Sequence, residues 1–348
     1  MSKRIKTSFL AVAIAFAAFA LSGGPLGQVA TAAPVASYDL LSVLPASDFI
    51  VHVDAQRIMT DIIPAILVDH PEARARLEAD IEKVKKHAGL DPRLIDSIAF
   101  GLNFNSPGAT RPTFALIARG RFDSNAAIDT GLNLAVKESK GELVRRTKVY
   151  EGRTVQMLVP HRRPFVKQGE KNENEDKPSD HAMVFVALDS NTVAVGNLKS
   201  VQATIDASLG RGRVDDELVQ LATRTPNAAM AFSGKIPPDM SRLIRVGNKE
   251  AENSLASMKL VYGAFNTNGS DAEGALNIRT EADEDARKLS MALNALKFIA
   301  KIGSTQQSNE KASIQAMINN VEVYAVGNEV QIISRVPLKD LASFIPRR

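Results

Sequence analysis

The chain contains no cysteine. That removes disulfides, thiol nucleophiles, thiolate metal ligands and a lipid-modified N-terminal cysteine together. Without disulfides the chain rests on its core alone, and 348 residues suffice to build one. Tryptophan is absent too, and aromatic residues make up only 5%. Sites for sugars and single-stranded nucleic acids rest on aromatic stacking platforms, so both ligand classes lose support. The spacings Gly-x-Ser-x-Gly, His-Glu-x-x-His, Gly-x-Gly-x-x-Gly and Gly-x-x-x-x-Gly-Lys-Ser/Thr are all missing. Ser308 and Lys311 fit a Ser-x-x-Lys pair literally, but in a polar linker where a nucleophile is hard to bury and activate. These absences lead us to expect no catalytic residues and no cofactor.

What is present begins with the N-terminus. Lys3, Arg4 and Lys6 precede an unbroken apolar run, Phe9 to Leu21, followed by Ser22, Gly23, Gly24 and Pro25. Ala30, Thr31 and Ala32 then supply small residues of the kind a signal peptidase reads. Residues 1–32 are expected to be a signal peptide cleaved after Ala32, since cleavage after Ala33 would leave Pro34 directly beyond the cut. The apolar run is too short for a bilayer core that needs about 20 residues, so no transmembrane segment is expected in the mature chain. The sequence pI of about 9.2 is largely a property of this segment. Without its three basic residues, 40 Lys and Arg face 39 Asp and Glu. A nucleic-acid binder carries a basic excess, so nucleic acid is not expected as a partner.

Residues 33–44 have no periodicity and read as a linker. A first module is expected over 45–225 and a second over 226–348. In the first, Phe49, Val51 and Val53 alternate as a strand, Asp54 suits a helix N-cap, and Pro64 interrupts the helix that follows. A second helix spans Glu72 to His87 with Leu77, Ile81 and Val84 at helical spacing, ended by Gly89. Hairpins follow at 96–122 and, about Glu151 and Gly152, at 143–159. Residues 161–180 hold five basic and five acidic residues with only Phe165 and Val166 as large apolar ones, the composition of a disordered loop. Met183 to Leu209 reads as strand, turn, strand and helix, with Asn197 as cap. Asp283 to Ile302 is the longest helix, its stripe formed by Ala286, Leu289, Leu293, Leu296 and Ala300 behind an acidic first turn. Phe298 and Ile299 widen that stripe enough to raise oligomerisation as a second role.

Four elements recur in order. Residues 47–63 match 227–244, and Asp96–Phe104 matches 257–266 with Phe100 and Gly101 aligned on Tyr262 and Gly263. Residues 113–136 match 272–296, and Met183–Leu209 matches Val321–Ile345. The fold class expected is therefore α+β: two tandem related modules, each an antiparallel sheet with helices packed mainly on one face.

Few residues suggest chemistry. His52 and Asp54 lie two apart, a spacing at which a carboxylate can orient an imidazole; a polar strand end and helix cap explain them as well. His161, Asp180 and His181 bracket the charged loop and are the metal candidates. Asn268, Gly269 and Ser270 form a formal glycosylation acceptor, or simply a hairpin tip.

The repeated strand–turn–strand–helix, the helix start at 53–59 and the hairpin at 150–158 resemble exported bacterial proteins of unknown function built from duplicated α+β modules. The resemblance implies an extracytoplasmic location, periplasmic or secreted, and brings no functional residues. The expected function is that of an exported cell-envelope protein, a non-enzymatic binding or structural component whose partner is an envelope protein or an apolar ligand. A carrier that holds a lipid between sheet and helices and a hydrolase without a recognisable motif stand as alternatives.

Overall fold

The computed structural model describes residues 38–104, 112–161, 182–237, 256–303 and 320–341. In chain order the strands are β1 (Phe49–Asp54), β2 (Ile95–Asn103), β3 (Thr113–Gly120), β4 (Leu143–Tyr150), β5 (Arg153–Pro160) and β6 (Met183–Asp189). They continue with β7 (Thr192–Gly196), β8 (Met230–Lys235), β9 (Met258–Asn268), β10 (Asp271–Thr280), β11 (Val321–Val326) and β12 (Glu329–Pro337). The α-helices are α1 (Ala55–Arg57), α2 (Ile63–Ile66), α3 (Pro71–Ala88), α4 (Ser124–Glu138), α5 (Leu198–Ser208), α6 (Asp216–Ala222), α7 (Asp283–Gly303) and α8 (Leu338–Leu341). Antiparallel sheet with separate helices makes this an α+β protein. The expected signal peptide, residues 162–181 of the expected disordered loop and the Ser308–Lys311 pair lie outside the described residues.

Two compact units divide the chain, and neither is contiguous. The first combines Ala36–Ser47 with Ala75–Asp215; the second combines Asp48–Arg74 with Asp216–Arg348. This differs from contiguous blocks at 45–225 and 226–348, and the cause is β1. Its residues pair antiparallel with β8, His52 opposite Ala231, so the first strand of the early half is built into the second unit.

In the first unit the strands run β2-β3-β7-β6-β5-β4. Strand β6 is apolar on both faces: Val184 and Val186 are fully buried, while Phe185 and Ala187 pack on the opposite side. Such a sheet needs cover on both faces. On one side α4 brings Ile128 and Leu132 against Phe185, Ala187, Val193 and Val195. On the other lies α5, where a Cβ built on Gly196 would stand 3.3 Å from the Ser200 Cβ. Residue alternation in β6 and β7 matches helices on both faces of this sheet. Both helices are capped by side chains: the Asp123 carboxylate accepts from Ala126 N at 2.7 Å, and Asn197 Oδ1, the cap expected from sequence, from Ser200 N at 2.8 Å.

The supposed linker is a second correction. Tyr38–Val43 is a 3-10 helix, and Leu40, Leu41 and Leu44 are all 0% exposed. Leu44 sits over β2, its Cδ2 3.3 Å from where a Gly101 Cβ would stand. Backbone bonds fix the segment: Ala46 N donates to Gly212 O at 2.9 Å, and Val214 N to Leu44 O at 3.1 Å. Three leucines in a segment too short for a periodic stripe gave no helical signal.

Helix α3 ends at Gly89, whose φ of +69° favours glycine. A Cβ there would stand 2.3 Å from Thr130 Cγ2 of α4. Gly89→Ala should therefore cost about 1–2 kcal/mol, combining left-handed strain with a forced shift of Thr130. Urea unfolding measures it; an unchanged midpoint would remove this close approach as a constraint.

In the second unit the order is β11-β12-β10-β9-β8-β1. Helix α7 places Ala286, Leu289 and Leu293 against Ile278, Val330 and Ile332. A neighbouring cluster joins Ile58, Ile62, Phe265, Val336, Leu338 and Leu341. Helix α6 lies across the other face, where Ser233 Oγ donates to Leu218 O at 2.6 Å. Between α1 and α2 the chain makes a π-helical turn, Ile58–Ile62, with Ile63 N bonded to Ile58 O. Pro64 supplies the reason: it has no N–H to give and its ring crowds the carbonyl four residues back, and a wider turn relieves both.

The apolar stripe of α7 departs from the expected line halfway along. Ala286 and Leu289 are buried, but Leu296 is 52% exposed, as are Phe298 and Ile299 at 65% and 64%. At this level the side facing the sheet carries polar residues: Asn294 Nδ2 donates to Val323 O at 3.0 Å, and Lys297 Nζ donates to Val321 O. The helix runs past the apolar floor and meets the backbone of β11 instead.

Candidate functional site

A partly buried cluster of charged side chains lies on the α6 face of the second unit. Cross-strand register puts Arg279 of β10 directly opposite Glu329 of β12. Arg279 Nε donates to Glu329 Oε1 at 3.0 Å, while its Nη1 reaches Glu217 Oε1 on α6 at 2.8 Å. Tyr262 of β9 donates its hydroxyl to Glu329 Oε2 at 2.7 Å. Arg224, just beyond α6, bonds the same hydroxyl and carries its guanidinium 5.4 Å from the Tyr262 ring centroid.

Protonation states follow from these contacts. Burial would raise the Glu329 carboxyl, but hydrogen bonds from Tyr262 and Arg279, with the nearby charge of Arg224, hold it below the usual carboxylate range. Burial pushes the Tyr262 phenol well above its ordinary value, and the bond to Glu329 adds to the rise. Neither group is poised to exchange a proton near neutral pH, as a general acid or base must be. The cluster works as a clamp fastening α6 to the sheet.

The first unit carries a lighter version. Register places Arg119 of β3 opposite Thr192 of β7. Arg119 Nε donates to Thr192 Oγ1 at 3.0 Å and its Nη1 to Asp39 Oδ2 at 3.2 Å, Asp39 lying in the 3-10 helix before β1. In both cases a strand arginine bonds its cross-strand partner with Nε and a carboxylate on a preceding helix with Nη1. The signal was in the sequence as an acidic residue followed by leucine, Asp39–Leu40 and Glu217–Leu218. Reading 33–44 as a linker hid it.

The expected site residues are not brought together among the described residues. His52 is fully buried on β1. Asp54 accepts from Arg57 N at 2.9 Å, which is a helix cap. His161 is exposed, with its backbone N bonded to Glu142 O at 2.6 Å; Asp180 and His181 lie outside the described residues. Among those described, no group of three His, Cys, Asp or Glu could hold a metal ion.

No family model matches the chain, and no curated protein does. Among solved structures, it is similar to three crystal forms of TP0453, a protein of Treponema. Crystal form III gives a TM-score of 0.45 at 11% identity, covering 91% of this chain and 99% of that one. Form IV gives 0.44 at 10%, covering 89% and 98%, and form I gives 0.42 at 12%, covering 91% and 98%. Among the described residues, no helix is long and apolar enough to cross a membrane.

Proposed function

We propose that the chain is an exported cell-envelope protein that acts by binding or by structure and not by catalysis. The observation carrying the export reading is the N-terminal sequence of basic start, apolar run and small-residue cleavage site. The non-enzymatic reading is supported by how this partly buried cluster is used, since Arg279, Glu329 and Tyr262 are committed to one another and to α6. A duplicated origin, with the first strand of the early module built into the second unit, is supported by strand order. The run β2-β3-β7-β6 repeats as β9-β10-β12-β11, and the two arginine clamps occupy corresponding places in it.

The test is to express the full chain with a C-terminal tag, fractionate the cells and sequence the N-terminus of the recovered protein. The expected mature chain begins at Ala33 and leaves the cytosol. A cytosolic product still carrying the apolar run would overturn the export reading.

A further inference from the structure

Asn268, Gly269 and Ser270 close the hairpin between β9 and β10, and all three are exposed. Asn268 pairs with Asp271 across a two-residue turn in which Gly269 has a φ of 61°. In such a hairpin the flanking pair takes the ladder bonds, which leaves the Gly269 N–H outside the ladder. A Cβ built on Gly269 would meet nothing within 4 Å, so the turn is open at this point. Asn268 is also the one asparagine of the chain that a glycine follows. Its Nδ2 donates to Glu273 Oε1 at 3.4 Å, a long bond, and Glu273 is otherwise held by Arg335.

We propose that Asn268 is a self-modifying residue, converted through attack by Gly269 into aspartate and isoaspartate. Gly269 N gives its proton to hydroxide and bonds Asn268 Cγ. The Cγ–Nδ2 bond then breaks, and Nδ2 takes a proton from water and leaves as ammonia. Water opens the cyclic imide: at Cγ to leave aspartate, or at the main-chain carbonyl to leave isoaspartate with a lengthened backbone. The nucleophile belongs to the next residue, so the step is intramolecular, and glycine has no side chain to obstruct the approach. Asn266 gives the contrast: the β-branched Thr267 follows it, and Thr267 N already donates to Asn266 Oδ1 at 2.8 Å. The product is felt beyond the turn. A carboxylate at 268 loses the donor to Glu273 and opposes it with like charge. Isoaspartate also stretches the turn whose Ser270 O accepts from Leu338 N, the first residue of α8, at 2.8 Å.

The test ages the purified full chain in warm, mildly alkaline buffer and follows the tryptic peptide Leu260–Arg279 by mass spectrometry. Isoaspartyl methyltransferase reports the isoaspartate. Asn268 should convert to both products, faster as pH rises, and at least about tenfold faster than Asn266 in the same peptide. Gly269→Ala should slow the conversion by at least about tenfold, and Asn268→Gln, which needs a larger ring, should abolish it. Ser270→Ala removes the glycosylation acceptor and should leave the rate unchanged. Asn268→Asp, which carries one product without the longer backbone, should lower the melting temperature by about 2–4 °C. An intact Asn268, equal conversion of Asn266, or an unchanged rate in Gly269→Ala would overturn the proposal. An unchanged melting temperature in Asn268→Asp would overturn its coupling to Glu273. The reaction needs only water, so its outcome is separate from whether the protein is exported.

Discussion

Leu41→Ala is expected to lower stability by about 3 kcal/mol, and Leu44→Ala by a similar amount. Both side chains are 0% exposed, and truncation removes apolar contact and leaves a cavity. Leu44 lies against the bare backbone at Gly101, which cannot relax inward to fill the space. The control is Val43→Ala, half-buried in the same 3-10 helix, which should cost less than half as much. Urea denaturation monitored by circular dichroism gives the comparison. If all three substitutions cost the same small amount, the segment behaves as a linker and its burial adds little.

The second large effect concerns the heavier clamp. Arg279→Ala should cost about 2–3 kcal/mol, since it leaves Oε1 of Glu329, a residue 13% exposed, without its guanidinium partner and frees Glu217 on α6. Arg119→Ala should cost about 1 kcal/mol, because its partners are a hydroxyl and an Asp39 carboxylate that is 61% exposed. The pH dependence separates them further. Glu329 has a lowered pKa, so its contribution is complete above the unfolded-state carboxylate pKa and is lost as pH falls through the folded value. The stability gap between wild type and Glu329→Gln should be flat above about pH 5 and shrink below it. A gap that widens toward acid would show that Glu329 is not ionised in the folded protein.

Much of this fold is written locally. Asp54, Asp123 and Asn197 cap the helices they precede, and Glu151 with Gly152 turns the β4–β5 hairpin. Those features depend on neighbours a few residues away, where side-chain chemistry speaks directly. The features that were not legible depend on distant partners. Nothing near Phe49–Asp54 says that its partner is β8, and nothing in Leu40, Leu41 and Leu44 says that a sheet waits for them. The stripe of α7 is intermediate: Ala286 and Leu289 obey the 3.6-residue period, whereas Leu296 is turned out because Asn294 and Lys297 find backbone acceptors on β11. Of the clamps, the acidic and leucine residues were visible, but their arginines lie 62 and 80 positions further along the chain. Periodicity cannot report a bond of that span.

The pairing of β1 with β8 also sets a clock. His52 and Ala231 are separated by about 180 residues, and at a synthesis rate of about 5–20 residues per second β1 exists for some 10–40 s before its partner does. Closing so long a loop is slow as well as late. Throughout that interval the second unit cannot complete its sheet. Under the export proposed above, late closure is an advantage: the order of the strands postpones the native state until translocation can be over.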